Sequence, residues 1–254
     1  MREATASVSG WLVEAIRPQP GHRVLEVAAG QGETGFLAAE AVLPGGTLIS
    51  SDRSEGMLES ARARAEELGL DNVEFRALDA ERLDLPTADL DAVLCRWGVM
   101  LLVDRGAALQ EMRRVLRPGG RLALAVWGPP ETNQWAAIPA RTLMDRGLVP
   151  APEPGSPGMF ELADEAVLHD LIAGAGFTDV EIEPIDFEYA HPSFDDWWET
   201  HVDLSAVSAE AVAGLSSEED EALRADLRAR LENFFGEDGS LVLPARALGA
   251  AASA

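Results

Sequence analysis

No lysine occurs anywhere in the chain, and Cys95 is its only cysteine. A single thiol rules out an internal disulfide and a thiolate metal cluster. Without lysine, the Tyr-x-x-x-Lys pair used by one common class of dehydrogenase cannot form. Positive charge is scarce altogether: 20 basic residues, all arginine, face 44 acidic ones and leave a formal net charge of −24. A surface of that sign repels phosphate backbones and anionic membranes, so neither a nucleic-acid nor a membrane partner is expected. Arginine in place of lysine fits the codon bias of a GC-rich genome, and the acidity also fits adaptation to high salt. No apolar run approaches the length that crosses a bilayer. Acids follow Met1 at once and no uninterrupted apolar core comes after them, so the chain does not open like a secretory leader and the expected compartment is the cytoplasm.

With 254 residues, 47% apolar and 25% charged, the composition is that of a soluble globular protein of one large domain, 1–254, carrying insertions. Through residue 128 short apolar runs alternate with longer stretches of helical period, the pattern of βαβ units in a doubly wound, mostly parallel α/β sheet. RVLEVAA (Arg23 to Ala29), TLISSD (Thr47 to Asp52), NVEFRAL (Asn72 to Leu78), LDAVLCR (Leu90 to Arg96) and RLALAVW (Arg121 to Trp127) read as strands. Pro18, Pro20 and Gly21 close an N-terminal helical cap over 1–20, and Pro44, Gly45 and Gly46 halt an Ala-rich helix. Ser54 caps and Gly69 terminates the helix that carries Met57, Leu58, Ala61, Ala65 and Leu68. A further helix runs from about Asp104 to the break at Pro118, Gly119 and Gly120.

After Gly128 the pattern changes. Segments 129–160 and 190–238 read as helical insertions, the first Pro- and Gly-rich around a short helix from Trp135 to Gly147. The second holds SFDDWWETHVDL and SSEEDEALRADLRARLENFF. Between the insertions LADEAVLHDLIAGAGF reads as a helix and TDVEIEPIDFEY as an alternating strand. SLVLPA (Ser240 to Ala245) is the last strand, and the Ala-rich tail behind it is expected to fray.

The turn after the first strand, EVAAGQGETG, places Gly30, Gly32 and Gly35 in G-x-G-x-x-G. Glycines let the backbone approach a nucleotide and the next helix offers free N–H groups, which suits many adenosine-bearing cofactors. Asp52 ends the second strand 22 residues beyond Gly30, where a carboxylate accepts both ribose hydroxyls of NAD or of S-adenosylmethionine (SAM). Glu26 separates the two. It lies four residues before Gly30, in E-x-A-x-G-x-G, and a carboxylate there suits the ammonium and sulfonium of SAM better than a pyrophosphate. Asp79, just past the third strand, is placed to accept a hydrogen bond from an adenine amino group. An isolated acid at a strand end is usually a helix cap or a solvated charge, and Met57 alone is ordinary core. Their joint placement at strand ends is what points to a ligand.

From VLEVAAGQG through SSDRSEGML, ALDAERLDLP and CRWGVMLLVD to EMRRVLRPGGRLALAVWG, residues 23–128 resemble the class I SAM-dependent methyltransferases, within them the UbiE-like group also called methyltransferase type 11. The resemblance implies a Rossmann-like seven-stranded sheet with its last strand antiparallel, helical insertions that cover the substrate, and SAM as cofactor. Carried over by position, Glu26, Ala28, Gly30 and Gly32 would surround the methionine half, and Asp52 would hold the ribose. Arg53 and Met57 would flank the adenine, Asp79 and Ala80 would read its edge, and Arg96 would offer backbone to its amino group. One departure is visible: the family's first glycine is Ala28 here, and its methyl group narrows the approach. The twenty or so residues before the first strand are fewer than the family often uses to close over SAM. Trp11, the inserted helices or the second subunit of a homodimer would complete that cover. The single cysteine sets the chain apart from arsenite-type methyltransferases, which use several.

Methyl transfer from a sulfonium is an in-line displacement, and positioning alone supplies about 7–11 kcal/mol of such a barrier. A base is required only where the acceptor must lose a proton. The candidates are His201 and His191 in the late insertion, with His201 preferred because it shares a helical face with Trp197. A partly exposed histidine beside packed aromatics is, however, the commoner meaning of that pattern. His22 and His169 read as structural or solvent-facing. Trp97, Met100, Trp127, Trp135 and Trp197, together with Phe160, are placed to line an apolar pocket, so the expected acceptor is a small, flat or apolar metabolite methylated on O, N or C, as in secondary metabolism. Two other functions remain open at this point. One is an NAD(P)-dependent oxidoreductase, resting on G-x-G-x-x-G and Asp52. The other is a SAM-binding protein without methyl transfer, suggested by Ala28 and the lack of an evident base. No metal is expected.

Overall fold

The structure, a computed structural model, describes residues 4–151 and 157–254. Residues 1–3 of the expected N-terminal cap and 152–156 of the first expected insertion lie outside the described residues. Strands β1 (Arg23–Val27), β2 (Thr47–Asp52), β3 (Val73–Ala77), β4 (Leu90–Arg96) and β5 (Leu116–Trp127) alternate with helices α1 (Ala6–Ala15), α2 (Glu33–Ala41), α3 (Glu55–Leu68) and α4 (Arg105–Val115). β1, β2 and β4 are buried along nearly their whole length, as strands must be when helices cover both faces of a parallel sheet. The helix ends obey local chemistry. The Ser54 hydroxyl accepts from Met57 N–H and Gly69 closes α3 at φ 69°, while Asp104 caps α4 through Ala107 N–H at 2.8 Å.

Beyond them lie α5 (Gln134–Asp145), α6 (Glu165–Gly174), β6 (Thr178–His191), α7 (Phe194–Leu204), α8 (Ala206–Ala213), α9 (Ser217–Arg230) and β7 (Leu241–Ser253). The sheet has seven strands in the order β3-β2-β1-β4-β5-β7-β6. β1 through β5 pair in parallel and β7 runs antiparallel to β5, which is the doubly wound, mostly parallel arrangement expected from the sequence. The chain lays down β1 centrally, works outward to β3, and returns to β4 on the other side of β1. The carboxyl ends of β1 and β4 therefore flank the switch point, where open α/β sheets bind ligands.

Three details differ from the sequence reading. Pro118, Gly119 and Gly120 do not separate α4 from β5; β5 begins at Leu116 and the break appears as a register shift, with Leu90 facing Leu116 and Ala92 facing Arg121. Between the two stretches of the late insertion, Ser205 starts the separate helix α8, its hydroxyl accepting from Ser208 N–H. Most consequentially, the Ala-rich tail does not fray. Ala247 to Ser253 pair with Trp127 to Arg121, and the last residue, Ala254, exchanges hydrogen bonds with Gly119 and Gly120 at 3.0 and 2.9 Å. The small side chains have a packing reason: a Cβ at Gly249 would lie 2.7 Å from the Trp11 ring of α1 and 2.8 Å from Ile185. Alanine and glycine here make room for a helix rather than mark disorder.

The chain separates into two compact units. One comprises Arg2–Gly128, Pro157–Ile185 and Ala247–Ala254, with β1 to β5, α1 to α4 and α6. The other comprises Pro129–Ser156 and Asp186–Arg246, with α5 and α7 to α9. In the second unit the buried Asn133 accepts from Arg246 N–H at 3.1 Å and donates to Arg246 C=O at 2.9 Å, while the Arg246 guanidinium grips Asp186 with two bonds of 2.6 and 2.8 Å. No helix among the described residues is long and apolar enough to cross a membrane.

The tail assignment is open to measurement. Leu248→Ala should cost about 2–5 kcal/mol in urea denaturation, because the side chain is buried. A residue in a frayed tail would change stability by no more than about 0.5 kcal/mol.

Candidate active site

Parallel strands that begin at one end of a sheet finish at the other together, so the ends of β1 to β4 gather at one edge. Glu26 lies beside Ser50 of β2 and Leu94 of β4. Asp52 lies beside Ala77 of β3, with Asp79 two residues further along the chain, and Arg96 lies beside Ala125 of β5. Ala28, Gly30 and Gly32 form the turn between β1 and α2, Arg53 and Met57 follow β2, and Ala80 follows β3. Arg53 and Met57 are exposed there and Ala80 is buried.

Glu26 is the unusual group. Its side chain is 2% exposed, and its Oε2 has no hydrogen-bond partner. Gly35, in the first turn of α2, makes this possible: a Cβ at that position would overlap Glu26 Oε2, so only glycine lets the carboxyl lie against the helix. Burial pushes the Glu26 carboxyl up to about 8; the Gly35 N–H and the Arg96 charge oppose the rise, and the Glu33 and Asp52 carboxylates add to it. A sealed carboxyl with an idle oxygen is costly unless something compensates it, and a cation is the natural compensation.

Asp52 braces the turn. Its Oδ2 accepts from Gly30 N–H and its Oδ1 from Ser54 N–H, both at 2.9 Å. Each oxygen keeps a second lone pair for a further donor. The turn is left-handed at Ala28 (φ 53°), Gly30 (φ 55°) and Gly32 (φ 80°). At Ala28 that conformation costs about 1–2 kcal/mol that the family's glycine would not incur. Asp79 is exposed and caps its own turn, its Oδ1 accepting from Glu81 N–H at 3.0 Å.

Arg96 does more than the sequence suggested. Its side chain, 16% exposed, donates to Glu33 Oε2 at 2.6 Å, Ser9 Oγ at 2.9 Å and Thr5 Oγ1 at 3.2 Å. Its guanidinium carbon sits 4.8 Å from the Trp97 ring centre. Trp97, itself left-handed at φ 60°, stacks on Trp127 with ring centres 4.3 Å apart and planes 7° apart. The buried Trp97 Nε1 has no partner, and Met100 is buried behind it in sequence.

Of the remaining predicted residues, Phe160 is half-buried in the first unit, and Trp135, Trp197, His191 and His201 belong to the second. Trp135 packs on Tyr189, and Trp197 is 2% exposed among Phe194, Trp198 and His201. His201 stacks on Trp198 with planes 9° apart and its Nε2 lies 3.0 Å from Ser208 Oγ; burial pushes the imidazole down to about 4, so it is neutral at ordinary pH. His191 pairs its Nδ1 with Asp196 Oδ2 at 2.8 Å. His169 is exposed, and His22 accepts from Gln19 N–H.

With this geometry in place, comparison with known proteins is decisive. Residues 18–140 match the family described as Methyltransferase domain. Nocamycin O-methyltransferase from Saccharothrix syringae is 31% identical over 191 residues, covering 72% of this chain and 68% of that protein. The chain belongs to the class I SAM-dependent methyltransferases. The ubiquinone/menaquinone biosynthesis C-methyltransferase UbiE of Cellvibrio japonicus is 34% identical over 122 residues, and the match spans about half of each protein, 48% and 49%. Among solved structures, the YcgJ protein of Bacillus subtilis superposes with a TM-score of 0.65 at 20% identity, covering 98% of this methyltransferase and 97% of that chain, which is a likeness of fold.

The methyltransferase uses SAM, and a buried carboxyl with an unpartnered oxygen beside the glycine turn fits a cationic cofactor. Sequence reasoning named the strand-end acids and the turn. It missed the Arg96 side-chain network, whose partners lie 63 to 91 residues away in the chain and carry no local signal.

Glu26 also sets a pH dependence. Its folded value lies above the ordinary one, so between about 4.5 and 8 the native chain keeps a proton that the unfolded chain has lost. The stability it contributes is full below that window and disappears as pH rises through it. In urea denaturation, Glu26→Gln should gain a few kcal/mol on the wild type between about pH 5 and pH 9. Parallel stability curves for the two proteins would contradict a sealed carboxyl at this position.

Proposed function

We propose that this methyltransferase transfers the methyl group of SAM to an oxygen, nitrogen or carbon atom of a small, flat or apolar metabolite. The observation that carries the reading is the buried Glu26 carboxyl, with its free oxygen, at the switch point of the sheet. Glu26, Ala28, Gly30 and Gly32 would hold the methionine half, with Glu26 answering its positive charge. Asp52 would accept from the ribose hydroxyls, Arg53 and Met57 would flank the adenine, and Asp79, Ala80 and the Arg96 backbone would meet its edge. Bound SAM supplies a methyl group activated by a sulfonium. The chain's own contribution is to hold acceptor and donor in line and to exclude water, worth about 7–11 kcal/mol where alignment is good. The half-buried Trp97, stacked on the buried Trp127 at the ends of β4 and β5, gives this edge an aromatic lining that suits an apolar acceptor.

For acceptors that must lose a proton, His191 is the better of the two candidate bases. Asp196 holds its Nδ1 and leaves Nε2 to take a proton. His201, pushed down to about 4 and engaged by Ser208, is a weak base at neutral pH. The O-methyltransferase and quinone C-methyltransferase relatives fit an oxygen- or carbon-centred acceptor of this kind.

Calorimetry with SAM, S-adenosylhomocysteine and NAD tests the cofactor. The two sulfur nucleosides should bind and NAD should not, and binding below about pH 8 should release a proton from Glu26, read as a dependence of the heat on buffer ionisation. Incubation with methyl-labelled SAM and a panel of phenols, quinols and amines should carry label into at least one aromatic acceptor. Binding of NAD in place of both sulfur nucleosides would overturn the reading.

A further inference from the structure

We propose that the Arg96 side chain is the positioning residue of the carboxyl edge: it fastens helix α1 to the first turn of α2 and supplies the positive charge that faces the Glu26 carboxylate. The proposal deepens the cofactor reading above and rests on it for its functional meaning. The geometry itself is independent of that reading.

The fastening is specific. Guanidinium N–H groups of Arg96 reach Thr5 and Ser9, at the start of α1, and Glu33, the first residue of α2. Ser9 Oγ lies 2.9 Å from Thr34 Oγ1, which adds a second polar stitch between the same two helices. Thr5, Ser9 and Thr34 are all buried, so their hydroxyls are satisfied within the protein rather than by water, and Arg96 serves two of them. A helix as short as α1 does not persist alone. Its place depends on docking. Trp11 Nε1 donates to Glu183 and Arg121 Nε to the Ala15 carbonyl farther along the helix, while at its start the polar docking converges on one guanidinium whose planar fork can serve several acceptors at once.

The charge is equally specific. The groups that act on Glu26 come from three neighbouring elements: Glu33 from α2, Asp52 from β2, and Arg96 from β4, with the Gly35 N–H donating from within α2. Cys95, also on β4, is itself held protonated by burial. Two anions and one cation thus act on the buried carboxyl, and the sheet register brings the cation near: Glu26 pairs with Leu94, two residues before Arg96 on β4, and Arg96 is itself bound to Glu33 at 2.6 Å. Removing the cation leaves it facing negative charge alone, and removing Glu33 relieves it of one anion.

Two readouts on the full chain without cofactor separate the two roles. Hydrogen exchange of residues 6–15 reports the fastening, and carbon-13 NMR of Glu26, assigned against Glu26→Gln, reports its titration. In Arg96→Met, exchange in α1 should speed up by about tenfold or more, and the Glu26 midpoint should rise by about one pH unit. Arg96→Lys should restore the midpoint because the charge returns, while exchange in α1 stays fast because the fork is lost. Glu33→Gln should move the midpoint the opposite way, downward. Ser9→Ala should quicken exchange in α1 with the midpoint unchanged, and it serves if Arg96→Met folds poorly. Unchanged exchange in Arg96→Met and Ser9→Ala would overturn the fastening. A midpoint that ignores Arg96→Met and Glu33→Gln, or that moves the same way in both, would overturn the charge role. Failure of the wild type to bind S-adenosylhomocysteine would instead count against the cofactor reading, and both of these readouts would still stand.

Discussion

A carboxyl group shut away from water near the end of the central strand makes demands on everything around it. Glu26 can lie where it does only because Gly35 carries no side chain, because α2 turns a backbone N–H toward it, and because Arg96 brings a positive charge across from β4. Arg96 in turn holds Glu33 and the start of α1. One desolvated acid therefore ties together the glycine turn, two helices and three strands. A buried carboxyl oxygen without a partner is costly to the free protein, and a group that satisfied it would recover part of that cost.

How far the chain could be read without coordinates follows from the range of each signal. Strands β2 and β4 were legible to the residue, since their apolar runs are bounded by turn residues in sequence. The glycine turn, Asp52 and the Ser54 cap were legible for the same reason: each is determined by neighbours within a few positions. The tail was misread because alanine and glycine have two meanings, flexible chain or close approach, and only Trp11 packed over Gly249 distinguishes them. Arg96 was recognised as lying at a strand end, but its task depends on Thr5, Ser9 and Glu33, which only folding brings near.

The second unit answers to different rules. Helices α7 to α9 are capped locally, with Ser216 and Glu219 forming a reciprocal cap at α9, and the unit's centre is aromatic, Phe194, Trp197, Trp198 and His201 packed against one another. The periodicity of the sequence announced α5, α7 and α9 but not α8. It could not tell that His201 is stacked on Trp198 and engaged by Ser208 while His191 is paired with Asp196, because those partners are set by folding rather than by the helical period.

The parallel contact of Trp97 with Trp127 carries one more consequence. Two indoles this close and this nearly parallel absorb light as a coupled pair rather than as separate rings. Their shared far-ultraviolet circular dichroism, separated from that of the other four tryptophans as the difference from Trp97→Phe, is consequently a built-in gauge of the distance and angle between the ends of β4 and β5, with no dye attached.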